Sequence, residues 1–255
     1  RRFDCPLWMT QLEYLMCRTQ VADAHSEVPP DALRFYRQAG WDEAAIEQYQ
    51  ERYGRFGRMI DRLPDSYRRL VDGEMLTIGQ VIVGQGHSPE HACLYCADLK
   101  LFISGDQVIP RISSNVSVHP TEPDANPLAG WLASIDKLMA LVPDDVLVLP
   151  SHNEPFHGLH LRLARLKYSE LAVLDRLRQM LRHPRRVVHV FSALFARHIP
   201  NDDGVQYGFA TGEAIAHLNY LVHTQELESQ MDGRGTRWYR RRDWHLSPSQ
   251  LSGSL

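Results

Sequence analysis

The sequence predicts an α/β fold, because short apolar runs alternate with a helical pattern. The runs are Val81–Val83, Leu101–Ile103 and Val146–Leu149, and turn residues follow each of them closely. Buried strands typically consist of such short Val, Ile and Leu runs bounded by turns. Between the second and third runs, apolar residues from Leu128 to Val142 recur at helical spacing. Such a stripe is typical of a helix that packs on a sheet.

Composition and charge exclude several classes of protein. Of the 255 residues, 44% are hydrophobic and 23% are charged, which is ordinary for a globular chain. The formal charge of −3 argues against a whole-surface nucleic-acid or membrane binder. No apolar run approaches the ~20 residues of a membrane span, and no signal-peptide pattern opens the chain. We therefore expect a cytoplasmic protein that does not bind membranes.

The four cysteines are too few for a disulfide scaffold of this length. Cys93 and Cys96 have the spacing of a redox pair, but they lie inside a predicted strand. A reactive thiolate is favoured at the start of a helix, not in a strand. We interpret this pair as core packing.

The N-terminal part is predicted to be mostly helical. A short strand, Cys5–Met9, precedes a helix, Thr10–Arg18, for which Thr10 is the expected N-cap. After the Pro29–Pro30 pair, about residues 30–70 show helix-like spacing of apolar and aromatic side chains. This helical insertion is interpreted as a layer over the sheet, and a lid over a substrate cleft is the alternative.

Two hairpins and a long loop are predicted in the middle of the chain. Strands are expected within Met75–Val83, and a second hairpin joins Ala92–Cys96 to Leu99–Ser104. Residues 110–127 are rich in turn residues and lack periodicity, as expected of a loop kept for function. The next helix should begin at Pro127, with Asn126 as its cap.

Three predicted strands end on side chains that can bind a metal ion. The loops after them carry His87, Asp106 and His152. Imidazole and carboxylate are ligands of zinc and similar ions, and α/β folds place chemistry in the loops at one end of the sheet. Each residue alone is more often structural, but three at the same point of a strand-to-loop transition favour a metal site.

These motifs resemble the later ligand motifs of the metallo-β-lactamase fold hydrolases. The matching pieces are Gly86–His91, Ser104–Asp106 and Pro150–His152, and the resemblance covers roughly residues 4–157. It implies an αββα sandwich in which His87 binds one zinc ion, His152 binds a second, and the catalytic Asp106 bridges both. His91 is expected to support the ligands or to contact substrate. The implied enzyme is a hydrolase that uses a metal-bound water on a small ester, thioester or related acyl substrate.

The chain lacks one motif that the resemblance leads us to expect. The family's first motif, His-x-His-x-Asp-His, has no counterpart here, and the first residue is not Met. We expect a catalytic domain that is incomplete at its N-terminus. This chain would then hold at most one of the two zinc ions and have low or no activity. A degenerate, non-catalytic homologue is the alternative.

A second domain is predicted after residue 157. Helices are expected within residues 163–181 and 187–195, Thr211 should cap a third helix, and strands 227–231 and 236–240 form a hairpin. This pattern resembles the winged helix that one branch of the family carries. The predicted domains are therefore residues 1–157, catalytic, and 158–246, winged-helix-like, with a disordered tail at 247–255.

The predicted wing is basic and leaves a second function open. Trp238 and Tyr239 lie among the arginines, which are Arg234, Arg237, Arg240, Arg241 and Arg242. Such a hairpin could contact phosphates, as in a nucleic-acid-processing or nucleic-acid-binding protein. It could equally be a solvated edge, or pack on the catalytic domain or on a second subunit of a homodimer. The negative net charge favours these interpretations over nucleic acid, and the expected partner is a small-molecule substrate.

Overall fold

The computed structural model describes residues 5–242. The helices are α1 (Gln11–Ala22), α2 (Pro30–Ala39), α3 (Glu43–Arg52), α4 (Arg55–Arg58), α5 (Pro127–Leu141), α6 (Leu159–Met180), α7 (Phe191–Leu194) and α8 (Gly204–His223). The strands are β1 (Trp8–Met9), β2 (Arg68–Arg69), β3 (Met75–Leu76), β4 (Gly79–Gly84), β5 (His91–Cys96), β6 (Leu101–Gly105), β7 (Leu147–Pro150), β8 (Arg185–Arg186), β9 (Leu227–Met231) and β10 (Arg237–Arg241). The predicted α/β class is therefore confirmed for this part of the chain.

A five-stranded sheet organises the middle of the molecule, in the order β3-β4-β5-β6-β7. Strands β4 and β6 both pair antiparallel with β5, and β7 is parallel to β6. The carboxyl ends of β4, β6 and β7 therefore lie at one edge of the sheet. The first residue of β5 lies at the same edge, because His91 pairs with Gly84. Four chain segments thus meet where the sequence predicts chemistry.

Helix α5 packs on this sheet through the predicted stripe. Leu128, Trp131 and Ile135 are fully buried, and the helix contacts β4. The Asn126 side chain accepts a hydrogen bond from the Ala129 amide at 3.3 Å, and Pro127 occupies the first turn, so the predicted cap is confirmed. Each such buried side chain contributes about 1.5–3 kcal/mol. The stripe therefore anchors the helix that leads into β7.

The N-terminal elements differ from the prediction in extent. The expected strand over residues 5–9 is reduced to the two residues of β1, which pair with β2. The helical insertion consists of α2, α3 and α4 and ends at Arg58, and Phe56 and Met59 are exposed. The predicted helical region is thus too long, because residues 59–67 contain no helix and Pro64 would interrupt one.

Thr10 occupies the expected N-cap position of α1, but its side chain makes no capping hydrogen bond. Its hydroxyl donates to the Glu90 carbonyl at 2.7 Å. The Glu90 carboxylate instead accepts from the Leu12 amide at 2.8 Å. A residue 78 positions away thus satisfies the helix terminus. These two hydrogen bonds connect α1 to the loop between β4 and β5, which carries His87.

The C-terminal part contains α6, α7, α8 and a three-stranded sheet in the order β8-β10-β9. The hairpin of β9 and β10 agrees with the prediction. The second predicted helix is wrong in extent, because a 3-10 turn at Val187–His189 precedes the four-residue α7. The predicted disordered tail lies outside the described residues.

Helix α8 begins seven residues before the predicted cap. The Asp203 carboxylate caps it by accepting from the Gln206 amide at 3.2 Å. Thr211 lies inside the helix, where its hydroxyl donates to the Tyr207 carbonyl at 2.7 Å and accepts from Trp41 Nε1 at 2.9 Å. A buried threonine satisfies its hydroxyl by this back-bond, so its residue type alone does not mark a terminus.

One hydrophobic core connects the two parts of the chain. It contains Phe35 from α2, Trp41 from the α2–α3 connection, Trp131 from α5, and Leu218 and Tyr239 from the C-terminal part. Cys93 is buried in β5, and burial raises the pKa of its thiol to about 12, which fits core packing and not redox chemistry. Among the helices of residues 5–242, none is both long and apolar enough to cross a membrane.

Candidate metal centre

The three predicted ligands come together at the sheet edge. His87 follows β4, Asp106 follows β6 and His152 follows β7. His87 Nε2 lies 3.6 Å from Asp106 Oδ2, and His152 Nε2 lies 3.4 Å from Asp106 Oδ1. The carboxylate therefore lies between two imidazoles, each facing a different oxygen.

The donor chemistry of this trio fits zinc, but the number of donors is incomplete. A zinc site in a protein is almost always four-coordinate. Each Asp106 oxygen is paired with one imidazole, which gives two donors on each side of the carboxylate. Within residues 5–242, no group of three or more His, Cys, Asp or Glu side chains is arranged so that it could hold a metal ion. The trio is thus two half-sites that share a carboxylate.

The two imidazoles differ in their surroundings. The side chain of His87 is 29% exposed and that of Asp106 is 28% exposed, whereas His152 is 64% exposed. The Ser151 hydroxyl also donates to Asp106 Oδ1, the oxygen that faces His152. His87 is therefore the more buried ligand candidate, and the His152 side of the carboxylate is open to solvent.

A backbone carbonyl fixes the orientation of His87. His87 Nδ1 lies 2.8 Å from the Asn115 carbonyl oxygen. A carbonyl oxygen only accepts, so this hydrogen bond places the ring proton on Nδ1. The lone pair of Nε2 then faces Asp106, as a metal ligand requires.

His91 lies beside the trio. Its ring is 6.1 Å from that of His87, and its Nε2 is hydrogen-bonded to the Ser104 carbonyl at 3.2 Å. Burial lowers the pKa of His91, and the neighbouring His87 lowers it further, so the ring is neutral near pH 7. A neutral ring bonded to Ser104 supports the strand end that carries Asp106.

The sequence did not single out Ser114 and Asn115. The Ser114 hydroxyl donates to the Asp106 carbonyl, and Asn115 accepts from His87. Both residues lie in the long loop between Asp106 and α5, which its length marked as functional. Nothing in their local pattern distinguishes them from the loop's other polar residues.

A separate cavity of about 420 Å³ lies between β2, β4 and α5. Its lining includes Arg69, Asp72, Glu90 and Lys137, and Lys137 is paired with Asp72 at 2.7 Å. None of the three candidate ligands lines it. A substrate of the trio would therefore approach from the open His152 side and not through this cavity.

Two arginines of the C-terminal hairpin pair with carboxylates of the chain, and Arg186 of the neighbouring β8 lies against the hairpin. Arg237 Nη1 lies 3.3 Å from Asp124 Oδ1, and Arg240 pairs with Glu228. The guanidinium of Arg186 lies 5.8 Å from the Trp238 ring centroid. Intramolecular partners thus neutralise part of the basic surface that would contact phosphates.

Comparisons with known proteins match both parts of the chain. Residues 19–152 match the sequence family described as the metallo-beta-lactamase superfamily. Residues 174–242 match the family described as metallo-beta-lactamase-like, C-terminal domain. This second match replaces the winged-helix expectation, because it assigns these residues to a domain typical of such proteins. No curated protein matches the chain.

Two solved structures extend these matches. A beta-lactamase domain protein from Burkholderia ambifaria is 36% identical with a TM-score of 0.84, and the match covers 94% of this chain and 67% of that one. A metallo-beta-lactamase family protein from Thermus thermophilus is 23% identical with a TM-score of 0.67, and the match covers 93% of this chain and 72% of that one. The first similarity extends to the sequence, and the second is one of fold.

Proposed function

Because the chain belongs to the metallo-β-lactamase superfamily, whose members are generally hydrolases, we propose that it is a zinc-dependent hydrolase. The proposed substrate is a small ester, thioester or related acyl compound. The observation that carries the proposal is the Asp106 carboxylate held between the imidazoles of His87 and His152.

Each residue of the trio has a proposed role. His87 and His152 are ligands on the two sides, and Asp106 joins the sides because a carboxylate has two oxygens to share. Zinc supplies Lewis acidity, which acidifies water and polarises the acyl oxygen. The Asn115 carbonyl keeps the proton of His87 on Nδ1, and His91 supports the Asp106 strand end.

The donor count sets the expected strength of binding. Since this chain supplies two donors on each side of Asp106, we expect at most one zinc ion per chain, weakly held, with low turnover. We assign the metal-binding function to residues 1–157. Residues 158–246 are the proposed C-terminal domain; its described part, to residue 242, packs on the core, and we propose that it forms a homodimer contact.

The test is the zinc content of the 255-residue chain and of three single variants. The His87→Ala, Asp106→Ala and His152→Ala variants should each bind zinc at least about 10-fold more weakly. Loss of an outer hydrogen-bond partner already costs about 10-fold in metal affinity, and loss of a ligand costs more. His183→Ala, which removes an exposed imidazole of the C-terminal part, is the matched control and should bind like the parent. A parent chain that binds no zinc, or variants that all bind equally well, would contradict the proposal.

A further inference from the structure

Helix α8 of the C-terminal part holds the loop that contacts the candidate ligands. The Val118 amide donates to the Gly212 carbonyl of α8 at 3.1 Å. Four residues earlier in this loop, the Ser114 hydroxyl donates to the Asp106 carbonyl. Residues 114–118, which we name the bridging loop, therefore connect α8 to the sheet edge.

Asn115 is the residue at which this connection reaches His87. Its backbone carbonyl accepts from His87 Nδ1 at 2.8 Å, and its side-chain Nδ2 donates to Glu213 Oε2 at 2.7 Å. The Ser117 hydroxyl donates to Asn115 Oδ1. With the side chain held at both polar atoms, the carbonyl that faces His87 has a fixed direction.

A buried polar pair, His217 of α8 and Glu170 of α6, fixes the helix turn that carries Glu213. His217, which is 1% exposed, is hydrogen-bonded through Nε2 to Glu170 Oε2 at 2.9 Å and through Nδ1 to the Glu213 carbonyl at 2.9 Å. The Glu213 carboxylate is only partly exposed. A carboxylate on such a rigid helix is a fixed anchor for the Asn115 amide, because buried polar groups with satisfied partners restrict motion.

We propose that Glu213, acting through Asn115, is a positioning residue that sets the tautomer and direction of the His87 ring. This inference rests on the proposed function in one respect, since it matters for catalysis only if His87 Nε2 binds the metal. The C-terminal domain then contributes to the site without touching the reacting atoms. Loss of the hydrogen bond between a metal-bound histidine and its outer partner weakens metal binding by about 10–100-fold.

The experiment measures the His87 tautomer directly, without metal. The chain is labelled with ¹⁵N-histidine, the ring nitrogens are recorded by long-range ¹H–¹⁵N correlation at pH 8, and His87 is assigned by comparison with His87→Ala. Glu213→Met severs the Asn115 bond at similar volume. Glu213→Gln keeps an acceptor oxygen for Asn115 and should rescue. Asn219→Ala removes two other hydrogen bonds from α8 to the loop before α5, at the Pro123 and Ala125 carbonyls, and is the structural control.

We expect the parent, Glu213→Gln and Asn219→Ala to hold His87 as the Nδ1–H form, and Glu213→Met to populate the Nε2–H form as well. Zinc titration of the same samples should show about 10-fold weaker binding for Glu213→Met alone. An unchanged tautomer in Glu213→Met, or an equal change in Asn219→Ala, would overturn the inference. Absence of zinc binding in the parent, with the tautomer still responding to Glu213→Met, would contradict the proposed function and leave the positioning role intact.

Discussion

Gly105, at the end of β6, illustrates how single positions determine the geometry of the site. Its φ is +53°, and a Cβ there would lie 2.4 Å from His91 Nε2. Only glycine adopts this backbone conformation without strain and leaves room for the His91 ring. The turn that presents Asp106 and the hydrogen bond from His91 to Ser104 therefore both require glycine at position 105.

The ionisation of Glu213 should make the stability of the protein depend on pH. Burial raises its pKa from 4.5 to about 7, and Glu170 adds to the effect while His217 and Asn115 oppose it. Between about pH 4.5 and 7 the folded state keeps a proton that the unfolded state has lost, so stability falls as pH rises through this window. The pKa difference corresponds to at most about 3 kcal/mol.

Glu213→Gln should remove this part of the pH dependence, which urea unfolding at pH 5 and pH 8 measures. Burial alone would lower the pKa of His217, but the Glu170 carboxylate raises it more, so the contribution of His217 also falls with rising pH. The Glu213→Gln variant retains that contribution. If the unfolding free energy changed equally between pH 5 and pH 8 in the parent and the variant, Glu213 would ionise freely in the folded state.

Helix α8 shows how an element is fitted to its neighbours. At Gly212 a Cβ would lie 2.8 Å from Ser117 Oγ and 2.9 Å from the Val118 carbonyl oxygen. The same helix carries Gly208, where a Cβ would meet nothing within 4 Å. The two glycines cost the helix similar backbone entropy, but only Gly212 allows the bridging loop to approach.

Alanine at these two positions should therefore have opposite effects. Gly208→Ala is expected to stabilise the protein by up to about 1 kcal/mol through helix propensity. Gly212→Ala gains the same propensity but displaces the bridging loop, so we expect a net loss of about 1–3 kcal/mol and weaker zinc binding. Urea unfolding of both variants compares them directly. Similar stabilisation by both would mean that the loop is not held at Gly212.

In the whole molecule, the two segments that match the two families share one hydrophobic core. Trp41, between α2 and α3, donates to Thr211 of α8, and its ring lies 4.9 Å from that of Tyr207. Arg162 of α6 donates to the Ile109 carbonyl at 2.6 Å, close to the candidate site. The C-terminal part is thus built into the site-bearing part, and this integration favours a packing role for it over an independent nucleic-acid module.

Nucleic-acid binding is the alternative that this arrangement argues against. Since Arg237 and Arg240 are paired with Asp124 and Glu228, we expect no complex tighter than about 1 µM with a 30-mer RNA at physiological salt. Gel shifts at low and physiological salt measure this. Asp124→Asn removes the carboxylate that pairs with Arg237, so it tests whether this ion pair limits RNA binding. A tight complex of the parent that Arg237→Gln weakens would instead support the nucleic-acid function.

The sequence by itself determined the strands of the five-stranded sheet, the hairpins, the α5 cap and the three ligand candidates. These features depend on local periodicity, turn residues and capping, which act between neighbours in the chain. The edge at which His87, Asp106 and His152 meet also followed, because each lies just beyond the carboxyl end of a predicted strand. Extents were less predictable, as the ends of α4 and the start of α8 show.

Only the tertiary structure decided what holds the ligands in place. Asn115 lies 28 residues from His87 and 98 from Glu213, and Thr211 lies 170 from Trp41. Hydrogen bonds across such separations depend on how packed elements meet, and no local pattern of residue types encodes them. The candidate donors are therefore readable from the sequence, whereas only the packed structure shows that a loop held by α8 supplies the carbonyl that faces His87.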